Sequence, residues 1–252
     1  MFANSALLKP GIHGGSDRAY SLHRKPLYRN TSVNRYKHIL ILCENIDGEE
    51  ATERCLLMFT DTVESSFRKR NFEGMQSQQL LRACVFDGLD AVNKLQKELG
   101  EGKRFAFSAQ VVLWEKTTCY GFHVGGGMIM KIDKNKVTSI ISQPQSIYQK
   151  LSSKGLLKGE NDQLTPLKFS LTSAVVPNMQ PENMHWIGPF SVMRNETLIM
   201  MTHEMEFRLS FDELSNSLSN GRSKEEDKES FLQNSRDSGT RADLAYCMGY
   251  IP

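Results

Sequence analysis

A chain of 252 residues is long enough to bury one large core or two small ones, and a net charge of only +2 supplies no global field for nucleic acid or an anionic membrane. No apolar stretch approaches the ~18 residues of a membrane span. The five cysteines, Cys43, Cys55, Cys84, Cys119 and Cys247, are scattered, odd in number and without C-x-x-C spacing, which reads as reduced thiols. The opening Met1 to Gly11 has no basic region followed by a long apolar run, so a signal peptide is not expected. Asn30-Thr-Ser and Asn195-Glu-Thr match the glycosylation pattern by chance in the absence of a secretory route. The expectation is a cytoplasmic globular protein, one domain over residues 1–252.

Residues 1–37 are polar, glycine-containing and basic, with weak strand signals around Arg18–His23. Lys37 to Cys43 is a short continuous apolar run of the kind a buried strand shows. It stops at the turn Glu44-Asn45-Ile46-Asp47-Gly48. From Glu49 to Arg70 the residues Ala51, Cys55, Met58, Phe59, Val63 and Phe67 fall on one helical face. Ser77 to Leu99 repeats the pattern with Leu81, Cys84, Val85, Leu89, Val92, Leu95 and Leu99. Gly88 costs that helix about 1 kcal/mol and admits a kink. Phe105–Trp114, Thr118–Val124, Met128–Ile132 and Lys136–Ile141 are strand-like runs. Turn signals at Glu115-Lys116, Gly125-Gly126-Gly127 and Asp133–Asn135 separate them, and the spacing predicts an antiparallel meander beneath the two helices. Gln145 to Lys154 reads as a helix ending at Gly155. Asn195-Glu196 is a tight polar turn and Thr197–Met201 a short apolar strand, with Thr202, His203 and Glu204 at its end. Ser210–Leu214 looks like a capped helix start. Residues 215–241, rich in Ser, Asn, Lys, Glu and Asp, read as a mobile loop with a helical middle. Asp243–Ile251 closes the chain as a weak strand, and no internal repeat is visible.

The stretch Met193 to Leu214 resembles the segment of type-2C metal-dependent protein phosphatases (the PPM family) in which a metal-binding aspartate sits in a Ser-Asp-Gly turn. Thr202-His203-Glu204 occupies that turn here. Four further fragments follow the family's order. Gly15-Ser16-Asp17-Arg18 resembles the Asn-Glu-Asp-Arg that opens the family's site, and Cys43 to Gly48 resembles its Phe-Asp-Gly-x-Gly-Gly turn. His123 to Lys131 lies over the Val-Gly-Asp-Ser-Arg core. Gln145 to Leu157 with Thr165 to Ala174 resembles the His-Ser helix and the Thr-Arg-Ala segment after it. The resemblance implies an α+β fold, a sandwich of two antiparallel sheets flanked by helix pairs in α-β-β-α layers. It also implies aspartates at one end of the sandwich holding two Mn²⁺ or Mg²⁺ ions, which activate a water for in-line attack on phosphoserine or phosphothreonine. That chemistry needs several carboxylates, because hard divalent cations take oxygen ligands.

Position by position the ligands carry over poorly. Asp17 matches the first-turn aspartate, but Ile12 stands where the phosphate-gripping arginine is expected. Glu44 replaces the bridging aspartate without gaps, and a small gap would put Asp47-Gly48 there instead. Gly126 stands at the aspartate of Gly-Asp-Ser, and His203 at that of Ser-Asp-Gly. Ala242-Asp243 meets the final ligand position with its aspartate lost, and a shift to Asp237-Ser238 would restore one. The candidate remnant metal set is therefore Asp17, Glu44, Asp47, His203 and Asp237.

Each candidate has a plainer reading. His203-Glu204 is a metal pair or a polar turn at a strand end. Gly125-Gly126-Gly127 is a phosphate cradle or a tight turn between strands. Glu44 and Asp47 form an acid/base pair or are solvated carboxylates. Trp114, Phe122, Met128, Met130, Met200 and Met201 read as core at strand spacing. Cys–His catalysis would need Cys119 beside His123 or His203, which the spacing does not demand.

The expected function is that of a catalytically impaired, pseudophosphatase-type protein acting by binding another protein, a kinase or a phosphoprotein, with no nucleic acid and no membrane. No tightly bound cofactor is expected. The alternative is a divergent active phosphatase using Mn²⁺ or Mg²⁺ on Asp17, Glu44, Asp47 and His203. A third reading is a phosphopeptide- or nucleotide-binding module, with Gly125–Gly127 and Glu204 as binding residues.

Overall fold

The computed structural model describes residues 2–8, 18–22, 37–47, 49–70, 74–100, 104–133, 135, 137–157, 167–168, 170–193, 196–203 and 244–250. Its strands are β1 (Phe2–Leu8), β2 (Arg18–Leu22), β3 (Lys37–Asn45), β4 (Phe107–Glu115), β5 (Thr118–Val124), β6 (Met128–Ile132), β7 (Thr138–Ser142), β8 (His185–Ser191), β9 (Thr197–Met201) and β10 (Leu244–Tyr250). The helices are α1 (Glu50–Arg70), α2 (Ser77–Leu99) and α3 (Ile147–Ser152). One sheet runs β2-β3-β4-β5-β8 and the other β1-β10-β9-β6-β7. Every pairing is antiparallel.

Alternation along the strands explains the layers. In β3, Ile39, Ile41 and Cys43 face outward into one cluster with Val111 and Leu113 of β4 and the apolar stripes of α1 and α2. Leu40 and Leu42 face the other way, joining Val112, Trp114 and Cys119 against Ile129, Leu198 and Met200 of the opposite sheet. Both faces of the central strands are thus buried, which is why β3 and β4 read as continuous apolar runs rather than alternating ones. In the second sheet Met128, Met130, Ile199 and Met201 point away from that intersheet cluster and are buried as well.

The helices α1 and α2 pack on one another and on the outer face of the first sheet. The helices approach closely at Gly88, where a Cβ would lie 2.8 Å from Cγ2 of Val63 and 2.9 Å from Cδ2 of Phe59. The helix runs through it from Ser77 to Leu99. On α1 the buried stripe includes Leu56, Thr52 and Thr60, whereas Met58, expected on that face, is 38% exposed.

The expected four-strand meander is corrected. β4 and β5 pair as a hairpin, but β6 and β7 belong to the other sheet, so the chain changes sheets at Gly125–Gly127. The fourth run is also shifted, from Lys136–Ile141 to Thr138–Ser142, and the helix expected over Gln145–Lys154 is only Ile147–Ser152. Ser146 caps that helix through its hydroxyl, which accepts from the Gln149 N–H. The structure adds two strands that the sequence pattern does not predict, β1 and β8. The helix start at Ser210–Leu214 and the loop at 215–241 lie outside the described residues.

Candidate functional site

The sheet change at Gly125–Gly127 builds one end of the sandwich, where the carboxyl ends of β3, β5 and β9 meet the starts of β4 and β6. Gly125 and Gly127 adopt φ of 97° and 82°, in the left-handed region that glycine enters freely. Space is short as well. A Cβ at 125 would come within 2.5 Å of the Ser108 hydroxyl, and one at 127 within 2.1 Å of Nε2 of Gln110 and 2.3 Å of the Met201 carbonyl.

Polar side chains satisfy this turn. The Gly125 N–H donates to Oε1 of Gln145 at 2.9 Å, and the Gly126 N–H to the Ser108 hydroxyl at 2.8 Å. Two of the three N–H groups of the candidate cradle, those of Gly125 and Gly126, are therefore engaged within the protein. The Gln145 backbone N–H returns a bond to the Gly125 carbonyl at 2.8 Å. The carbonyl of Gly126 accepts from Nε2 of His123 at 2.9 Å, and Nε2 of Gln110 donates to the Met201 carbonyl at 2.8 Å, tying β4 to β9 across the sandwich.

His123 is wholly buried. A carbonyl can only accept, so Nε2 carries the proton, and Nδ1 then accepts from the Ser142 hydroxyl at 2.7 Å. Burial pushes this imidazole down from 6.5 to about 4, with His185 and His203 adding to the effect and the Gly126 bond opposing it. It is a neutral, structural histidine. Ser108, Gln110, His123 and Gln145 were not singled out for this role by sequence; the available signal was polar residues set inside or beside apolar strand runs.

Two sequence candidates, Glu44 and His203, are brought together here from opposite sheets. Oε2 of Glu44 accepts from the backbone N–H of His203 at 3.0 Å. The His203 ring donates through Nε2 to the Lys168 carbonyl at 3.0 Å and lies against Gly126. Asp47 serves the start of α1. Its Oδ1 accepts from the Glu49 N–H at 3.0 Å and its Oδ2 from the Thr52 hydroxyl at 2.9 Å, so both oxygens organise the helix entry. Asp17, Glu204 and Asp237 lie outside the described residues.

A pair of hard divalent cations needs several oxygen ligands converging on one point. Of the described candidates, Glu44 is turned to a backbone N–H, Asp47 to the helix start, and Gly126 brings no side-chain oxygen. Among the described residues no three His, Cys, Asp or Glu side chains are placed to hold a metal ion. The described donor set does not fit a two-cation centre.

The other readings find their places too. Cys119 lies in the intersheet cluster, four residues along β5 from His123 and hence about 13 Å away. Burial pushes the Cys55 and Cys84 thiols up to about 11 and that of Cys119 higher still, so none is a ready nucleophile. A cleft of about 620 Å³ opens between β7 and β8, lined by Ile140, Gln143, Gln145, Glu182, Met184 and His185 among others. Its described lining holds Glu182 and neither lysine nor arginine, which does not suit a phosphopeptide. Among the described residues no helix is long and apolar enough to cross a membrane.

The two face-to-face antiparallel sheets with a helix pair over one outer face have the fold of type-2C metal-dependent protein phosphatases. The chain is similar to the S. agalactiae serine/threonine phosphatase, with a TM-score of 0.80 and 15% identity over 100% of both chains. It is also similar to the serine/threonine phosphatase Stp1 of Staphylococcus aureus, with a TM-score of 0.76 and 16% identity over 99% of this chain and 94% of that one. The catalytic domain of the serine/threonine phosphatase PstP, solved with two manganese ions, gives a TM-score of 0.75 at 12% identity over 98% and 96% of the two chains. Neither the protein-family models nor the curated proteins yield a match. At these identities the likeness carries the fold and leaves the site to its own residues.

Proposed function

We propose that this protein is a pseudophosphatase, a type-2C phosphatase scaffold that acts by binding another protein rather than by metal-dependent hydrolysis. The observation that carries the reading is the state of the sandwich end: a histidine ring packed against a glycine at two positions where the resemblance implies aspartates. A carboxylate lost from either position removes charge from the site, and divalent affinity falls with ligand charge. The buried apolar pattern that makes the fold is independent of those positions and is retained.

The test pairs two measurements on the full chain. Hydrolysis of phosphoserine and phosphothreonine peptides is followed with Mn²⁺ and with Mg²⁺, while calorimetry follows the metals alone. The expected outcome is no metal-dependent turnover and at most one weakly held cation. Turnover with two tightly bound ions overturns the reading in favour of a divergent active phosphatase. That alternative draws its support from Glu44 and His203 meeting at one place.

For the partner, the mixed-charge segment 215–241 is the docking candidate. Its low hydrophobicity and dense mixed charge are the sequence features that favour it as a docking segment.

A further inference from the structure

Gly126 is the middle of three glycines, yet its backbone makes no demand for one: φ is positive at 125 and 127 and not at 126. What excludes a side chain there is His203. A Cβ at 126 would lie 2.6 Å from Cβ of His203, 2.7 Å from its Cγ and 3.2 Å from its Nδ1. These atoms are the root of the side chain, and no rotamer change moves the Cβ. The ring is anchored as well, with Nε2 bonded to the Lys168 carbonyl and the His203 backbone N–H bonded to Glu44. Only 6% of the residue is exposed.

We propose that Gly126 and His203 are an interlocked pair. The His203 side chain, from its Cβ outward, fills the volume that any side chain at 126 would need, and residue 203 closes this end of the sandwich by tying β9, β3 and the Lys168 segment together through its backbone N–H and its ring. No side chain, a carboxylate included, can enter at 126 while residue 203 carries a Cβ at this distance. The proposal rests on the pseudophosphatase reading only in taking this end to be held without cations; the packing relation is independent of it.

A double-mutant cycle tests it. Urea unfolding of the full chain in EDTA is measured for the wild type, Gly126→Ala, His203→Gly and the double variant. The expected result is a large drop in midpoint for Gly126→Ala in the wild-type background and little or none in the His203→Gly background, which alone removes the Cβ at 203. Gly125→Ala is the control, because its φ of 97° and its contact with Ser108 are not relieved by shortening residue 203. Equal losses in the two backgrounds overturn the interlock. Should Gly126→Ala alone fail to fold, a folded double variant supports the proposal and an unfolded one overturns it.

Repeating the wild-type curve with Mn²⁺ separates the two readings. A midpoint unchanged by Mn²⁺ supports closure without cations. A midpoint raised well above its EDTA value overturns the cation-free closure and the pseudophosphatase reading, while the outcome of the cycle still decides the steric pair.

Discussion

His123 shows what a single buried ring imposes on the molecule. Its folded-state value of about 4 lies below the ordinary 6.5, so between those limits the unfolded chain binds a proton that the folded chain refuses. The sign follows: the contribution is fully present above about pH 6.5 and is lost as pH falls toward 4. Its size is on the order of 3 kcal/mol. We expect urea unfolding at pH 5 to show a clear loss relative to pH 7, and His123→Asn to flatten that difference while lowering stability at pH 7. An unchanged pH slope in the variant would assign the acid sensitivity to other groups. At the same scale, the candidate site was only partly legible. Glu44 and His203 were both named, but the bond between them spans 159 positions, and nothing local says that a backbone N–H claims the carboxylate. The demand on Gly126 comes from a side chain 77 residues further along, which a sequence shows only as an unexplained glycine.

Among the elements, Gly88 separates propensity from packing. Alanine would favour α2 by about 1 kcal/mol. Its methyl group, however, would meet Val63 and the Phe59 ring inside 3.0 Å, and overpacking costs about 1–3 kcal/mol. Val63 is stiff at χ1 and Phe59 is fully buried, so packing wins. Gly88→Ala should lower the unfolding midpoint, and adding Val63→Ala should cost less than it does in the wild-type background; strict additivity would refute the close-approach account. Legibility followed the same division. The helices α1 and α2 and the strands β3, β4, β5, β6 and β9 were readable because burial on one stripe or both faces writes a pattern into the residues. The edge strand β8 was not, since Gly188-Pro189 inside it reads as a turn, although a proline is tolerated at a sheet edge. β1 escaped because its short, mixed sequence carries little signal, and its partner lies at the far end of the chain. The meander failed for a related reason: a glycine turn marks a change of direction without saying which sheet follows.

For the whole molecule, the docking role assigned to the charged segment makes a deletion informative. Removing residues 220–234 should leave the thermal midpoint nearly unchanged and weaken association with a purified kinase or phosphoprotein partner. A midpoint several degrees lower would make the segment structural, and undiminished affinity would end the docking idea.

The order of strands within the second sheet bears on how the chain reaches its fold. β1 pairs with β10, Phe2 opposite Tyr250, and β10 is also the strand that joins β1 to β9. A ribosome therefore releases β1 long before its partner, while β3, β4 and β5 can assemble early from neighbouring sequence. Until β10 emerges, β1 and β9 each lack their shared neighbour and present open edges of the kind that recruit other chains. Stalled or prematurely terminated products that end before Leu244 should accordingly partition into aggregates.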